Sequence, residues 1–162
     1  MTPALLALVL SVDAKITDLK DGFVRVETAS YRIEVPKGWE VSRETSFGQR
    51  EMTSPEGKMT AMTAPGGGRQ GWERLYRTSL FFIMREKEGR ATPYSISKTA
   101  QGYEACTFSI LDKEGFAERR YVILKNPRSE NILALSVKIP ERKRERELVA
   151  AFDRLVKTAV LP

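Results

Sequence analysis

Histidine is absent from the 162 residues, and cysteine occurs once, at Cys106. The commonest general base, the usual metal ligand and the physiological pH switch are therefore missing. A lone cysteine excludes an intramolecular disulfide and a cysteine-based zinc site. Cys106 alternates with Phe108 and Ile110, which predicts a buried, inert thiol with no imidazole to activate it. Carboxylates are plentiful, but no spacing singles out a pair for acid–base work. The chain therefore reads as non-catalytic, with no cofactor and no metal expected.

Four stretches could bind rather than react. Gly66-Gly67-Gly68-Arg69 precedes a predicted helix, where loop amides and an arginine can hold an anion. It lacks the lysine and Ser/Thr of a nucleotide loop and is expected to be a surface connection. Glu141 to Glu147 (ERKRERE) is the densest charge run. On a helix, Lys143–Glu147 and Glu141–Arg144 would pair, so it reads as a solvated face. Nucleic acid is not an expected partner, because its binders show an uncompensated basic stripe. Arg119-Arg120 lies near Phe116 and Tyr121, a pattern that can stack bases. The expectation is one arginine in solvent and the other with its stem along the sheet. Trp39, and Trp72 with Tyr76, have the character of interface anchors, with core packing at the sheet margin as the alternative. Trp39, Arg69 and Trp72 are the candidate partner-binding residues.

The length suits one domain of roughly 100–200 residues. Apolar residues make up 41% and charged residues 30%, a globular balance. Lys and Arg number 27 against 21 Asp and Glu, a formal charge of +6, which favours acidic proteins or an anionic membrane surface as partners.

Met1 to Val12 reads MTPALLALVLSV. Its apolar run is too short for a bilayer span, which needs about 20 residues. Val12 and Ala14 are small residues at the spacing of a signal-peptidase site. Residues 1–14 are therefore expected to be a signal peptide cleaved after Ala14, although no basic residue precedes the apolar run. Residues 15–162 would form a single exported domain.

Periodicity places the elements. Phe23–Glu27 is β-prone, Tyr31–Val35 alternates as a strand with one buried face, and Pro36-Lys37-Gly38 breaks the latter. Arg50–Thr53 and Lys58–Ala64 flank a Ser54-Pro55-Glu56-Gly57 turn. A helix is predicted from Gln70 to Glu88, apolar on so much of its surface that cover on more than one side is expected. Strands follow at Tyr94–Ser97, Gly102–Leu111, Phe116–Leu124 and Asn131–Ile139, the last apolar on both faces and so central. Pro140 is predicted to open a final helix whose core stripe is Leu148, Val149, Phe152, Leu155, Val156 and Ala159. The fold class is α+β, one antiparallel β-sheet packed between helices.

These residues also carry a resemblance. Tyr31-Arg32-Ile33-Glu34-Val35-Pro36-Lys37-Gly38-Trp39 resembles the strand-then-P-x-G-W start of PsbP-like proteins. The Ser54–Gly57 turn, Lys98 to Tyr103 before a hairpin, and the closing helix with Phe152 and Leu155 are similar too. The resemblance covers roughly Phe23 to the end. It implies the α/β/α sandwich of PsbP, an extrinsic subunit of the photosynthetic oxygen-evolving complex. A Ran-binding nuclear import factor and bacterial envelope proteins of the DcrB type are similar to it as well. Such motifs mark the fold and not the job, and no ligand residue carries over.

The resulting expectation is a non-catalytic, exported accessory protein that docks on an envelope or membrane complex. Two alternatives stand beside it: a small-ligand or lipid-binding domain, and a cytoplasmic GTPase-binding regulator that keeps its N-terminal run. Neither the partner nor the oligomeric state is specified by the sequence.

Overall fold

The computed structural model describes residues 13–84 and 89–162. Strands β1 (Lys15–Asp18), β2 (Phe23–Glu27) and β3 (Arg32–Pro36) make a small antiparallel sheet in that order. Alternation in β3 works as the sequence predicts: Ile33 and Val35 are fully buried, while Arg32 faces out.

The main sheet contains β4 (Glu40–Val41), β5 (Gln49–Ser54), β6 (Gly57–Ala64), β7 (Arg90–Ala91), β8 (Ser95–Lys98), β9 (Glu104–Leu111), β10 (Ala117–Lys125) and β11 (Ile132–Lys138). Its order is β4-β5-β6-β11-β10-β9-β7, with β8 also on β9, and every pair is antiparallel. β11 is central, as its two apolar faces require.

Helices α1 (Trp72–Met84) and α2 (Glu145–Thr158) lie on opposite faces of this sheet. On one face, Leu148, Ala151, Phe152 and Leu155 of α2 join β3 and Met52, Met59, Leu133, Leu135 and Val137 in one core. Each large side chain buried there contributes about 1.5–3 kcal/mol. On the other face, Leu75 packs against Cys106, Phe108, Ile110, Ile123 and Ile132, with Trp72, Tyr76, Leu80 and Ile83 half-buried around them.

Four features depart from the sequence reading. The strands divide between two sheets, because alternation fixes a strand's faces but not its neighbours. Within the described residues α1 is covered on one side only. Phe81 and Phe82 are 63% and 65% exposed, since no layer lies outside them; the predicted end of this helix, 85–88, is outside the described residues. Pro140 follows β11, but a 3-10 turn at Arg142–Arg144 intervenes before α2 begins at Glu145. That turn also changes the ion pairs: Lys143 pairs with Glu141 and Arg144 with Glu147, because i,i+4 spacing needs α-helical geometry.

Of the predicted signal segment, residues 1–14, residues 1–12 lie outside the described residues, and Asp13 and Ala14 are described. Ala14 packs on the α2-side core, and the Asp13 carboxylate reaches Arg50 at 2.9 Å. A cut after Ala14 would remove both contacts.

Candidate functional site

The predicted partner-binding residues fall on two faces of the main sheet. Trp39 follows the β3 turn and packs, half-buried, on the α2 side. It lines a cleft of about 300 Å³ with Phe23, Leu148 and Arg154. Arg154 stacks on Phe23 at 3.8 Å and bridges Asp21 at 2.6 Å and Glu34 at 2.8 Å. The Arg154 guanidinium holds the Asp21 carboxyl below the usual aspartate range.

Trp72 lies on the α1 side. Its indole Nε1 donates to Glu104 at 3.1 Å, and Lys125 Nζ sits over its ring at 4.4 Å. The same ammonium donates to the Gln70 carbonyl at 2.7 Å. Trp72 is thus half-buried and its polar atom already satisfied. Arg69 is mostly exposed and ion-paired with Glu130. The sheet separates Trp39 from Trp72, so the three residues do not converge on one site.

The glycine loop does not form an anion cradle. Gly68 N–H donates to Glu130 O at 2.7 Å, Arg69 N–H to Gly66 O at 3.3 Å and Gln70 N–H to Gly67 O at 3.1 Å. These three amides are occupied by the chain itself. Gly68 also answers a packing need, since a Cβ there would stand 2.9 Å from the Glu130 carbonyl oxygen. Cys106 is fully buried, and burial pushes its thiol up to about 11. It stays protonated at neutral pH. Among the described residues no group of three or more His, Cys, Asp or Glu is placed to hold a metal, and no described helix is long and apolar enough to cross a membrane.

Two basic features escaped the motif search. The first is Arg50 on β5. It is 2% exposed and surrounded by acceptors: Tyr31 Oη at 3.1 Å, the Ser42 carbonyl, Asp13 Oδ1 at 2.9 Å and Glu44 Oε2 at 3.7 Å. A buried charge persists only when so paired. The hydrogen bond from Arg50 is the main reason the Asp13 carboxyl titrates below its ordinary range. Burial raises the Tyr31 hydroxyl. Alternation was the available signal, because Met52 and Arg50 share a strand face.

The second lies on the opposite face. The register places Arg119 of β10 opposite Lys138 of β11, and Lys138 opposite Lys58 of β6. The neighbouring Arg120 points to the α2 side and pairs with Glu145 at 2.6 Å. One arginine was expected in solvent and the other with its stem along the sheet; both are half-buried, on opposite faces. Around the basic row the sheet is thinly covered. α1 reaches β9, β10 and, on β11, Ile132 and Ala134. Beyond it lie Ser136 and Thr60, whose hydroxyls meet at 2.6 Å, and Met62, 38% exposed.

Against known proteins, no protein-family model matches the sequence, and no curated protein does. Solved structures do match. Cyanobacterial PsbP (CyanoP) from Synechocystis sp. PCC 6803 superposes with a TM-score of 0.58 at 12% identity, over 100% of this chain and 98% of that one. The Ran-binding protein Mog1p from Saccharomyces cerevisiae superposes with a TM-score of 0.50 at 10% identity, over 91% of this chain and 95% of that one. The fold is that of the PsbP-like and Mog1 proteins, an antiparallel α+β sandwich, as the sequence resemblance implied. At such identities the likeness concerns the fold, and the job must come from this chain's own surfaces.

Proposed function

We propose that this protein is a non-catalytic accessory protein that docks on a larger protein assembly outside the cytoplasm, at the cell envelope or a membrane complex. One observation carries the docking half. The α1-side face of the main sheet is covered only in part, and its open part holds a row of three cations of which, among the described residues, only Lys58 has a carboxylate partner. Two proteins with this fold support the same direction, one of them described as Ran-binding. The short apolar run Ala4–Val12 supports the compartment.

Fractionation of an expressing bacterial host, with the intact mass of the product, tests the compartment. A chain lacking the apolar run, recovered outside the cytoplasm, is the expected result. A full-length chain in the cytoplasm overturns export and favours a cytoplasmic regulator. Cross-linking in intact cells tests docking: an envelope protein should be captured in proportion to this one, and its absence would count against the reading.

The small-ligand reading has one observation behind it. The Trp39 cleft, at about 300 Å³, is at the low end of ligand pockets, which run roughly 300–1,000 Å³. A bound mass in native mass spectrometry, lost on Trp39→Ala, would favour that reading instead.

A further inference from the structure

We propose that the open part of the sheet, from β11 to β4 beside α1, is a trough that receives an acidic, amphipathic segment of a partner protein. This rests on the docking reading above and names its surface and the chemistry of the partner.

The cation row is the first reason. Arg119, Lys138 and Lys58 stand directly opposite one another on consecutive neighbouring strands. Like charges at opposed positions destabilise a sheet, so folding alone does not explain them. Glu51 pairs with Lys58. Glu40, in register with Thr53 at the outer edge, is two strand spacings from Lys58, roughly 10 Å. Lys138 and Arg119 have no ion-pair partner among the described residues, and Arg119 Nε is buried without a hydrogen-bond partner. An incoming carboxylate would meet a need that the described residues leave open. The chain's own N-terminal segment cannot meet it, because residues 1–12 contain no Asp or Glu.

Shape decides the kind of partner. From β11 to β4 is three strand spacings, about 14 Å, and α1 rises beside this floor by a layer of about 10 Å. A helix about 10–12 Å across fits the trough. A flat lipid surface would rest on α1 before touching the row. Apolar groups border the same space. Met62 is on the floor, in register with Ala134. Phe82 follows Glu73 by nine residues, about half a turn around the helix. Glu73 shares its flank with Tyr76, three residues on, whose ring meets Tyr94 beside β8 at 5.0 Å, so Phe82 occupies the flank facing the open sheet, 65% exposed. Cations on the floor with apolar groups on floor and wall match a segment that is acidic and apolar by turns.

The test uses the full chain, labelled with 15N, and three probes. The first is a helical peptide of about 18 residues built from Glu, Leu and Ala, long enough to cross the trough. The second is its Gln-for-Glu counterpart, and the third is phosphatidylglycerol vesicles. The acidic peptide should shift the amides of Lys58, Thr60, Met62, Ser136 and Lys138, and the Gln peptide should not. The double variant Lys58→Glu, Lys138→Glu should weaken its Kd by about tenfold or more, and Trp39→Ala should leave it unchanged. Lys138 is exposed, whereas Lys58 is half-buried and paired with Glu51, so the single variant Lys138→Glu, expected to melt no lower than the wild type, keeps the test readable if the double variant unfolds. Shifts centred on the Trp39 cleft, indifference to charge reversal, or vesicle binding that the double variant abolishes would each overturn the proposal. A partner captured in cells while the peptide test fails would sink the trough and spare the docking reading; no captured partner would sink docking itself.

Discussion

Arg50 and Lys58 belong to one hairpin, β5–β6, yet they live in opposite circumstances. Arg50 points toward α2 and is enclosed by a phenol, two carboxylates and a carbonyl. Lys58 points the other way, into a row with Lys138 and Arg119 that, among the described residues, only Glu51 offsets by direct pairing. One cation is built into the fold, and the row is left facing outward. Basic residues of equal formal charge thus divide into those that serve stability and those available to a partner. Net charge, at +6, cannot separate the two; partners and burial can.

The largest effect should come from breaking the enclosed side. Arg50→Ala strands Tyr31, Asp13 and Glu44 in place and opens a cavity. Removing one partner from a buried ion pair costs about 3–5 kcal/mol, so the urea midpoint should fall sharply or the protein should not fold. Arg50→Met, which refills the volume, should lose less, because Asp13 and Glu44 can turn to water. If Arg50→Ala melts like the wild type, the enclosed cation is not a structural one and the contrast fails.

Second in size is the N-terminal boundary. A chain beginning at Lys15 lacks the Asp13 carboxylate and the Ala14 packing contact. Hydrogen bonds to charged groups contribute about 1.5–3 kcal/mol, so this chain should be less stable by about 2 kcal/mol than one beginning at Asp13. Equal denaturation midpoints would mean that Glu44 alone satisfies Arg50.

Much of this architecture was legible beforehand. Alternation in Ile33–Val35, Cys106–Ile110 and Leu133–Val137 named the buried faces correctly, and the α2 stripe at Leu148, Phe152 and Leu155 packs as predicted. Strand neighbours were not legible, because pairing is a long-range choice that local pattern does not encode. Hence the small β1–β3 sheet and the cation row were both missed. Lys58, Arg119 and Lys138 are 61 and 19 residues apart in turn, and only the register brings them together. Arg50 was overlooked for a different reason: its alternation was readable, but an arginine is rarely assigned to a core. The candidates Trp39 and Trp72 stood out by type, and type alone could not say that the sheet divides them.

The enclosed cation also predicts a response to acid. The Arg50 hydrogen bond depresses the Asp13 carboxyl in the folded state. A group whose folded pKa lies below its unfolded value, about 3.9 for aspartate, stabilises above that value. The contribution is lost as pH falls through the folded pKa. Stability should therefore hold near neutrality and decline below about pH 4. Asp13→Asn should start less stable at pH 7 and decline less steeply over the acid range. Parallel pH profiles for the two proteins would show that Asp13 does not carry this term.

The smallest effect is the most direct test of the open side. If the row Arg119–Lys138–Lys58 is surplus to folding, relieving it should help the fold. Lys138 is the middle member, exposed and flanked by both other cations. Replacing it with glutamate converts two repulsive cross-strand neighbours into attractive ones. Cross-strand pairs contribute about 0.2–1 kcal/mol each, and exposed charges give the lower part of that range. Lys138→Glu should therefore raise the melting temperature slightly at low salt, with the gain shrinking as salt screens it over a Debye length of about 10 Å at 0.1 M. Stability and acidic-peptide affinity would then move in opposite directions in one variant, which a purely structural lysine would not produce. A destabilised Lys138→Glu protein, with its loss insensitive to salt, would instead make Lys138 part of the fold and join the open side to the enclosed one.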